Sequence, residues 1–231
     1  MTPVTGELRS RLVEIEALLA SSDLFSGFDA EAMAAVVAAS EVQSRRRNDI
    51  VFQEHEAPDH LYVVQSGRIA IATISVDGRE SVMALMEPGD LFGEMPMFDG
   101  GTRSAGARAL ESSELVAVPY APVERILKER PELLWGVLRM LAQRLRATNA
   151  VVADSVFLDV TGRTAKRLLE LAGGADEFVL PVTQEELAGM VGASRERVNK
   201  ALSAFIRLGW LEQADRRYRI TDRDQLTRRA R

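Results

Sequence analysis

Short apolar alternations separated by turn residues fill the chain from Val42 to Pro119, and this pattern constrains the fold more than any other. Alternation with a period of two predicts strands that bury one face. Six such strands are expected, over Ile50–Phe52, Leu61–Gln65, Arg68–Ser75, Ser81–Met86, Ala105–Ala109 and Ser113–Val118. Turns between strands are predicted at Ser66-Gly67, Asp77-Gly78 and Pro88-Gly89-Asp90. Many short strands at regular spacing favour a small β-barrel or jelly roll, which can enclose one small ligand.

The stretch Phe92–Ala105 carries the side chains needed to hold a sugar phosphate. Gly93 has no Cβ, so a ligand can approach its backbone closely. Arg103 can bind phosphate oxygens through two parallel N–H groups, and Ser104 adds a hydroxyl. Glu94 would repel a phosphate but can accept a hydrogen bond from a sugar hydroxyl. The alternative is a surface hairpin closed by a Glu94–Arg103 salt bridge.

A long helix is predicted from Pro131 to about Phe157. It carries residues at steps of four and three, the spacing of a coiled-coil seam, at Leu134, Leu138, Leu141, Leu145, Thr148, Val152 and Ser155. A second stripe can pack on the strand region and consists of Leu133, Val137 and Met140. Two stripes predict two partners, the helix's own domain and a second copy of the chain. The alternative is a single broad core-facing stripe in a monomer.

Thr148 places a hydroxyl within this apolar seam, and Asn149 flanks it. A buried polar group needs a hydrogen-bond partner. The edge of an adenine base offers both a donor and an acceptor, so these two residues are candidates for contact with a base.

Other helices are predicted from caps and periodicity. Apolar spacing predicts a helix over residues 7–21, Asp29 caps a short helix through Val37, and Pro122–Leu127 forms another. Asp159 is the expected N-cap of a helix that ends at Gly173-Gly174, and a hinge between domains is expected there.

Two short helices around a glycine turn predict a helix-turn-helix. Thr183 and Glu186 form a capping box, Gly192 makes the turn, and Ser194 caps a second helix that ends near Gly209. The inward face of the second helix is expected to hold Val198, Leu202, Phe205 and Ile206. The outward face carries side chains that read base edges, Arg195, Glu196, Asn199 and Lys200. The alternative is an ordinary solvated helix face.

A β-hairpin is predicted over Trp210–Ile220, with its turn near Ala214-Asp215-Arg216. Three of its arginines can reach a phosphate backbone, Arg216, Arg217 and Arg219. The charge distribution agrees: residues 158–231 hold 14 basic and 11 acidic residues, a net +3, and the remainder holds 15 against 23, a net −8. A basic C-terminal third favours an anionic partner for that third. The two elements together predict a winged helix-turn-helix.

Composition excludes several classes of protein. No apolar run approaches about 18 residues, and charged residues interrupt Met1–Ser22, so we expect no transmembrane helix, no signal peptide and a cytoplasmic location. The absence of Cys excludes disulfides, thiolate zinc sites and cysteine-ligated iron–sulfur clusters. His55 and His60 are the only histidines, and solvated loop positions are favoured for them over a haem or metal site.

Three motifs resemble the cyclic AMP receptor protein (CRP/FNR) family, and its actinobacterial members in particular. They are Gly93-Glu94 with Arg103-Ser104-Ala105, the run Thr148–Arg163, and the helix Ser194–Lys200. The resemblance covers Asp23 to Arg231 and implies a homodimeric transcription regulator that is not an enzyme. It implies cyclic AMP as the effector, no metal, and double-stranded DNA and RNA polymerase as partners.

The resemblance also implies residue roles. The cyclic AMP contacts are Gly93, Glu94, Met95, Arg103, Ser104, Thr148 and Asn149. Glu94 would bind the ribose 2′-hydroxyl, Arg103 and Ser104 the cyclic phosphate, and the helix residues the base, including one from the partner subunit. The DNA contacts are Thr183, Glu185, Ser194, Arg195, Glu196, Arg197, Asn199 and Lys200. His55 departs from the glycine common in the family; if its turn needs a positive φ, His55 is strained or the turn is remodelled.

We therefore expect an α+β protein of four parts. These are an N-terminal helical extension (1–22), a cyclic-nucleotide-binding jelly roll (23–130), a dimerisation helix (131–158) and a winged helix-turn-helix domain (159–231). Two other functions stay open. One is a regulator of the same fold that is ligand-independent or senses another small molecule. The other is an enzyme acting on a nucleotide, although no His/Asp cluster has the required spacing.

Overall fold

The structure, a computed structural model, describes residues 3–75 and 80–231. The predicted turn Asp77-Gly78 lies outside the described residues. The chain divides into two compact units, Met1–Thr73 with Ala84–Leu145, and Ile74–Met83 with Arg146–Arg231.

The elements up to the end of the long helix, in chain order, are α1 (Pro3–Ala20), α2 (Ala30–Ala39), β1 (Glu41–Arg45), β2 (Ile50–Phe52), β3 (His60–Ser66), β4 (Ile69–Ile74), β5 (Glu80–Met86), β6 (Leu91–Phe92), α3 (Met95–Asp99), β7 (Gly106–Ala109), β8 (Ser113–Pro119), α4 (Tyr120–Glu129) and α5 (Leu134–Phe157). The elements that follow are α6 (Val160–Ala172), β9 (Glu177–Val179), α7 (Gln184–Val191), α8 (Arg195–Arg207), β10 (Leu211–Ala214), β11 (Arg217–Ile220) and α9 (Arg223–Arg229).

The first eight strands form a jelly-roll sandwich of two four-stranded sheets, ordered β1-β8-β3-β6 and β2-β7-β4-β5. Three aromatic rings pack between the sheets: the Tyr62 ring stacks on Phe92 at 5.4 Å, and Phe52 lies 6.0 Å from Phe92. The sheets stay separate along the described strands, so the jelly-roll form of the prediction is confirmed and the closed barrel is wrong.

All six predicted strands are present, with ends that agree or differ by one residue. Three further strands were not predicted, β1, β6 and β9. Their sequences explain the omission, since β1 is mostly polar and β6 and β9 are only two and three residues long. These strands form because they pair with strands elsewhere in the fold. Strand β1 pairs antiparallel with β8, and β9 pairs antiparallel with β11.

A second apolar core lies where helices pack on the sheet that contains β3 and β8. The second stripe of α5 contributes buried Val137 and Met140, and Leu133 packs against the same cluster, as predicted.

The predicted N-cap of α2 is confirmed, because the Asp29 carboxylate accepts a hydrogen bond from the Ala32 amide at 2.9 Å. The long helix begins at Leu134, since Pro131–Leu133 forms a 3-10 turn.

The second unit contains the predicted helix-turn-helix and a wing. The Asp159 carboxylate caps α6 by accepting from the Gly162 amide at 2.8 Å and pairs with Arg229, and both contacts, the amide first, lower the pKa of Asp159. Gly192 makes the turn between α7 and α8 with a φ of 66°. The wing is a three-stranded sheet, β10-β11-β9. Helix α9 was not predicted.

One predicted core position on α8 is wrong. Its buried stripe is Val198, Ala201, Leu202 and Phe205, whereas Ile206 is exposed. Ile206 lies one residue beyond the last member of that stripe, and the rotation of about 100° per residue takes it to the edge of the apolar face.

His55 adopts the strained backbone that its position requires, with a φ of 68°. Its amide donates to the Arg103 carbonyl at 2.8 Å, and the Arg103 amide donates to the backbone carbonyl of Glu56 at 3.1 Å, so the turn holds the backbone of Arg103. The His55 side chain is exposed, and its Nε2 lies 3.8 Å from Oε1 of Glu54.

We therefore expect His55→Gly to raise the free energy of unfolding by about 1 kcal/mol, because glycine relieves the left-handed strain at a smaller cost in chain entropy. Urea denaturation measures the change. Asn48→Gly is the control, since Asn48 also has a positive φ, of 70°, but asparagine tolerates it better. Equal gains in the two variants would contradict the strain at His55.

Candidate functional site

The backbone from β6 into α3 places Glu94 inside the first unit. Gly93 turns the chain with a φ of 77°, and Glu94 precedes the first residue of α3 with a side chain that is 0% exposed. A Cβ added to Gly93 would lie 2.8 Å from Nη1 of Arg103 and 3.3 Å from the Phe52 ring. Glycine is thus required here by the φ angle and by the close approach of an arginine.

Arg103 is 3% exposed and is held by neutral groups. Its Nη1 donates to the Gly93 carbonyl at 2.6 Å and to the Tyr120 hydroxyl at 3.0 Å, and its Nη2 donates to the His60 carbonyl at 2.8 Å. The guanidinium lies over the Phe52 ring, 4.0 Å from its centroid. Among the described residues no carboxylate pairs with it, and its buried Nε has no partner.

Tyr120 completes the support of Arg103. Its hydroxyl also donates to the Gly93 carbonyl, so the phenol and the guanidinium share one acceptor. Burial raises the pKa of Tyr120 to about 12, against an opposing effect of Arg103. The hydroxyl therefore stays protonated and neutral at physiological pH and adds no negative charge beside the arginine.

Glu94 is paired with an arginine that the sequence analysis missed. Its Oε1 accepts from Nη1 of Arg144, whose Nη2 donates to the Leu91 carbonyl. Its buried Oε2 has no partner among the described residues. The alternative of a surface Glu94–Arg103 salt bridge is therefore wrong. The available signal was helical spacing, since Arg144 lies four residues after buried Met140 on α5.

The remaining predicted ligand residues are more exposed. The Ser104 hydroxyl is exposed and lies 4.0 Å from Sδ of Met95, which is also exposed. Thr148 and Asn149 lie on the part of α5 that belongs to the second unit, and both side chains are exposed. Their roles in the site stay predictions.

Two buried polar groups near Gly93 lack opposite kinds of partner: Nε of Arg103 lacks an acceptor and Oε2 of Glu94 lacks a donor among the described residues. A buried cation without an anion is costly, and a buried carboxylate oxygen without a donor is costly as well. An anion would neutralise Arg103, and a hydroxyl would satisfy Oε2 of Glu94. The arrangement can therefore bind a compound that carries both an anionic group and a hydroxyl group.

The second candidate site is the helix-turn-helix. The predicted capping box is present: the Glu186 amide donates to the Thr183 hydroxyl at 3.2 Å, and the Thr183 amide donates to Glu186 at 2.7 Å. Ser194 caps α8 by accepting from the Arg197 amide at 3.4 Å. The following predicted DNA contacts have exposed side chains: Glu185, Ser194, Arg195, Glu196, Arg197 and Lys200.

The basic side chains at the start of α8 are available to a partner. Within the described ranges, no acidic residue pairs with Arg195, Arg197 or Lys200. Asn199 differs from its predicted outward position, because it is half-buried and its enclosed Oδ1 has no hydrogen-bond partner in the part of the chain that the structure describes. The charged start of α8 is thus open, while Asn199 lies at the edge of the helix core.

The wing arginines have different surroundings. Arg216 donates to the Leu180 carbonyl at 3.0 Å, and Arg219 lies 3.4 Å from Glu177 and 3.7 Å from Glu212. Arg217 is exposed. The wing therefore presents Arg217 to solvent, whereas Arg219 is already balanced by two carboxylates.

The two histidines do not share one environment. His55 lies in an exposed turn as predicted, but His60 begins β3, is half-buried, and has its Nδ1 2.7 Å from Asp59. The prediction of a solvated loop for His60 is wrong, because His60 belongs to β3 and pairs with Pro119 of β8.

No cluster of potential metal ligands occurs across residues 3–75 and 80–231. None of the helices in those ranges is apolar and long enough to cross a membrane.

Comparison with known families matches both sites. Residues 42–130 match the cyclic nucleotide-binding domain family, and residues 162–229 match the Crp-like helix-turn-helix domain family. The first match includes Glu94 and Arg103, and the second includes the capped helices α7 and α8.

Individual relatives agree with the family matches. A CRP-like cAMP-activated global transcriptional regulator of Mycobacterium tuberculosis is 39% identical over 224 residues, which cover 94% of this chain and all of that protein. The cAMP-activated global transcriptional regulator CRP of Salmonella typhimurium is 31% identical over 66% of this chain and 76% of its own. The solved structure of CLP, a c-di-GMP responsive global regulator of Xanthomonas campestris, has a TM-score of 0.72 and 26% identity over 83% of this chain and 99% of its own.

Proposed function

This chain belongs to the CRP-like family of transcription regulators, and on that premise we propose that it is a cyclic AMP-responsive homodimer that binds palindromic DNA. The regulatory class is shown by the relatives, which are transcription regulators and not enzymes. The alternative of a nucleotide-hydrolysing enzyme is therefore set aside. We propose further that the protein contacts RNA polymerase and acts in the cytoplasm.

The observation that carries the proposed ligand is the buried guanidinium of Arg103, which no carboxylate neutralises among the described residues. A cyclic phosphate would supply the missing charge by accepting hydrogen bonds from Nε and from the second N–H of Nη2 of Arg103, and from the hydroxyl of Ser104. The ribose 2′-hydroxyl would then donate to Oε2 of Glu94, while Arg144 keeps Oε1. One cyclic nucleotide thus satisfies both unpartnered groups.

The exposed seam of α5 supports the proposed homodimer. Four apolar residues of the seam are exposed along the helix, Leu134, Leu138, Leu145 and Val152, whereas Leu141 packs partly against the core. Exposed apolar residues at coiled-coil spacing are typical of a helix that pairs with a second copy. In that dimer, Thr148 and Asn149 would contact the base of the ligand across the seam.

DNA binding would use the two copies of α8. A two-fold dimer places two recognition helices in successive major grooves, about 34 Å apart, which requires a palindromic site. The ligand would act by changing the packing of α5 and the orientation of the DNA-binding domain at the hinge near Asp159. It can do so only if the two conformations bind it with unequal affinity.

The central experiment titrates cyclic AMP while fluorescence anisotropy follows binding to a palindromic DNA probe. We expect affinity for the probe to rise with cyclic AMP and to stay unchanged with AMP, which lacks the cyclic phosphate. Strong DNA binding without any nucleotide would favour the ligand-independent alternative. A response to c-di-GMP alone would favour another effector, as described for CLP.

The base-reading role of Arg195 has its own test. Replacing Arg195 with Ala should weaken binding to the preferred sequence by roughly 1–3 kcal/mol and relax the preference at one base pair. Arg207→Ala is the matched control, since Arg207 is an exposed arginine at the opposite end of α8. Binding measured against a set of single-base variants gives both quantities. An unchanged base preference in Arg195→Ala would contradict the role.

A further inference from the structure

Sulfur chemistry in this chain is restricted to methionine. The sequence has eight Met and no Cys, so a response to oxidants through sulfur must use a thioether. Two methionine side chains are strongly exposed within the described residues, Met83 at 60% and Met95 at 45%. Susceptibility of methionine to oxidation follows exposure, so these two are the first candidates.

Met95 stands beside the groups proposed to hold the ligand. It follows Glu94 as the first residue of α3, and the Ser104 hydroxyl lies 4.0 Å from its Sδ. Ser104 in turn follows Arg103 in the chain. A thioether is a weak acceptor, so in its reduced state Met95 leaves the hydroxyl of Ser104 free to turn toward a phosphate.

We propose that Met95 is a site of reversible oxidation, through which peroxide lowers the affinity of the protein for its cyclic nucleotide; this inference rests on the proposed function. Hydrogen peroxide would transfer one oxygen atom to Sδ. The O–O bond breaks, an S–O bond forms, sulfur loses two electrons, and water leaves. A methionine sulfoxide reductase would reverse the step, with oxidation of two of its thiols to a disulfide and release of water.

The sulfoxide changes the site in two ways. Its oxygen is a strong acceptor that would bind the Ser104 hydroxyl and withdraw that donor from the phosphate. It also places partial negative charge where the anionic ligand is expected. Loss of one hydrogen bond to a charged group lowers affinity by about tenfold or more, so a tenfold decrease is the expected effect.

The experiment compares each protein before and after treatment with hydrogen peroxide. Peptide mass spectrometry measures the oxygen added at Met95 and at Met83, and calorimetry measures the affinity for cyclic AMP. The measured quantity is the ratio of the two affinities within one variant, so any change in starting affinity cancels. Met95→Leu removes the proposed site, and Met83→Leu is the matched control for an exposed methionine elsewhere.

We expect the affinity of the wild-type protein and of Met83→Leu to fall about tenfold on oxidation and to recover with a reductase, whereas the affinity of Met95→Leu stays constant. Bound cyclic AMP should also slow oxidation of Met95 and leave Met83 unaffected. Full conversion of Met95 with unchanged affinity would overturn the inference, as would an equal loss in Met95→Leu. Absence of cyclic AMP binding by the untreated protein would overturn the proposed ligand itself, and the inference with it.

Discussion

Replacing Arg103 with Leu is expected to weaken cyclic AMP binding by about a hundredfold or more, because it removes two hydrogen bonds to a charged group, each worth roughly 1.5–3 kcal/mol. Arg103 is a buried cation that directly precedes Ser104 in the chain, and it has no acidic partner among the described residues. Calorimetry with cyclic AMP measures the loss, and circular dichroism at the same temperature establishes that the variant is folded.

Two further variants separate charge from geometry. Arg103→Lys keeps the positive charge but loses the planar fork, so it should retain part of the affinity. Arg68→Leu is the control, since Arg68 is a half-exposed arginine that already pairs with Glu87 at 2.9 Å and Glu111 at 3.1 Å. It should bind cyclic AMP as the wild type does. A folded Arg103→Leu protein with unchanged affinity would exclude Arg103 as the phosphate ligand.

Disrupting the seam of α5 should have the second large effect. Leu138 and Leu145 are 53% and 62% exposed, and replacing both with Asp would place carboxylates in the proposed dimer interface. We expect the solution mass to fall from twice 25.4 kDa to 25.4 kDa. Affinity for a palindromic DNA site should fall by about 10²–10⁴, because the two recognition helices would no longer bind as one unit.

Val13→Asp provides the matched control for the seam. Val13 is 59% exposed on α1, so the variant makes a similar apolar-to-acidic change on another helix. It should keep the mass and the DNA affinity of the wild type. Size-exclusion chromatography with light scattering measures the mass. A double variant that keeps the wild-type mass would contradict pairing through α5.

Local patterns predicted much of this molecule. Strands β2, β3, β4, β5, β7 and β8, the caps at Asp29, Asp159 and Ser194, and the capping box of α7 all follow from residues within a few positions of one another. The positive φ at His55 was also open to prediction, because a turn that commonly uses glycine imposes its backbone on whatever residue stands there. These features need no information about distant parts of the chain.

The candidate ligand site was predicted only in part. Glu94 and Arg103 were identified from residue type and spacing, but their partners were not. Glu94 pairs with Arg144, which is 50 positions away, and Arg103 contacts Tyr120 and His60, which are 17 and 43 positions away. Charge patterns along a sequence do not specify such pairs, since many arginines and carboxylates could satisfy them equally well.

By itself the sequence determined the periodic elements, their caps and the residue types able to hold a sugar phosphate, because those depend on short-range geometry and on side-chain chemistry. Only the tertiary structure decided which of these groups are buried, and therefore which must find a partner. Burial of Arg103 among carbonyl groups and an aromatic ring, without a carboxylate among the described residues, follows from the packing of β3, β6 and α4 around it. Packing also buried Oε2 of Glu94, which has no donor within residues 3–75 and 80–231. A polar atom loses its contact with water only when distant segments pack around it, so no single segment of the sequence could predict this.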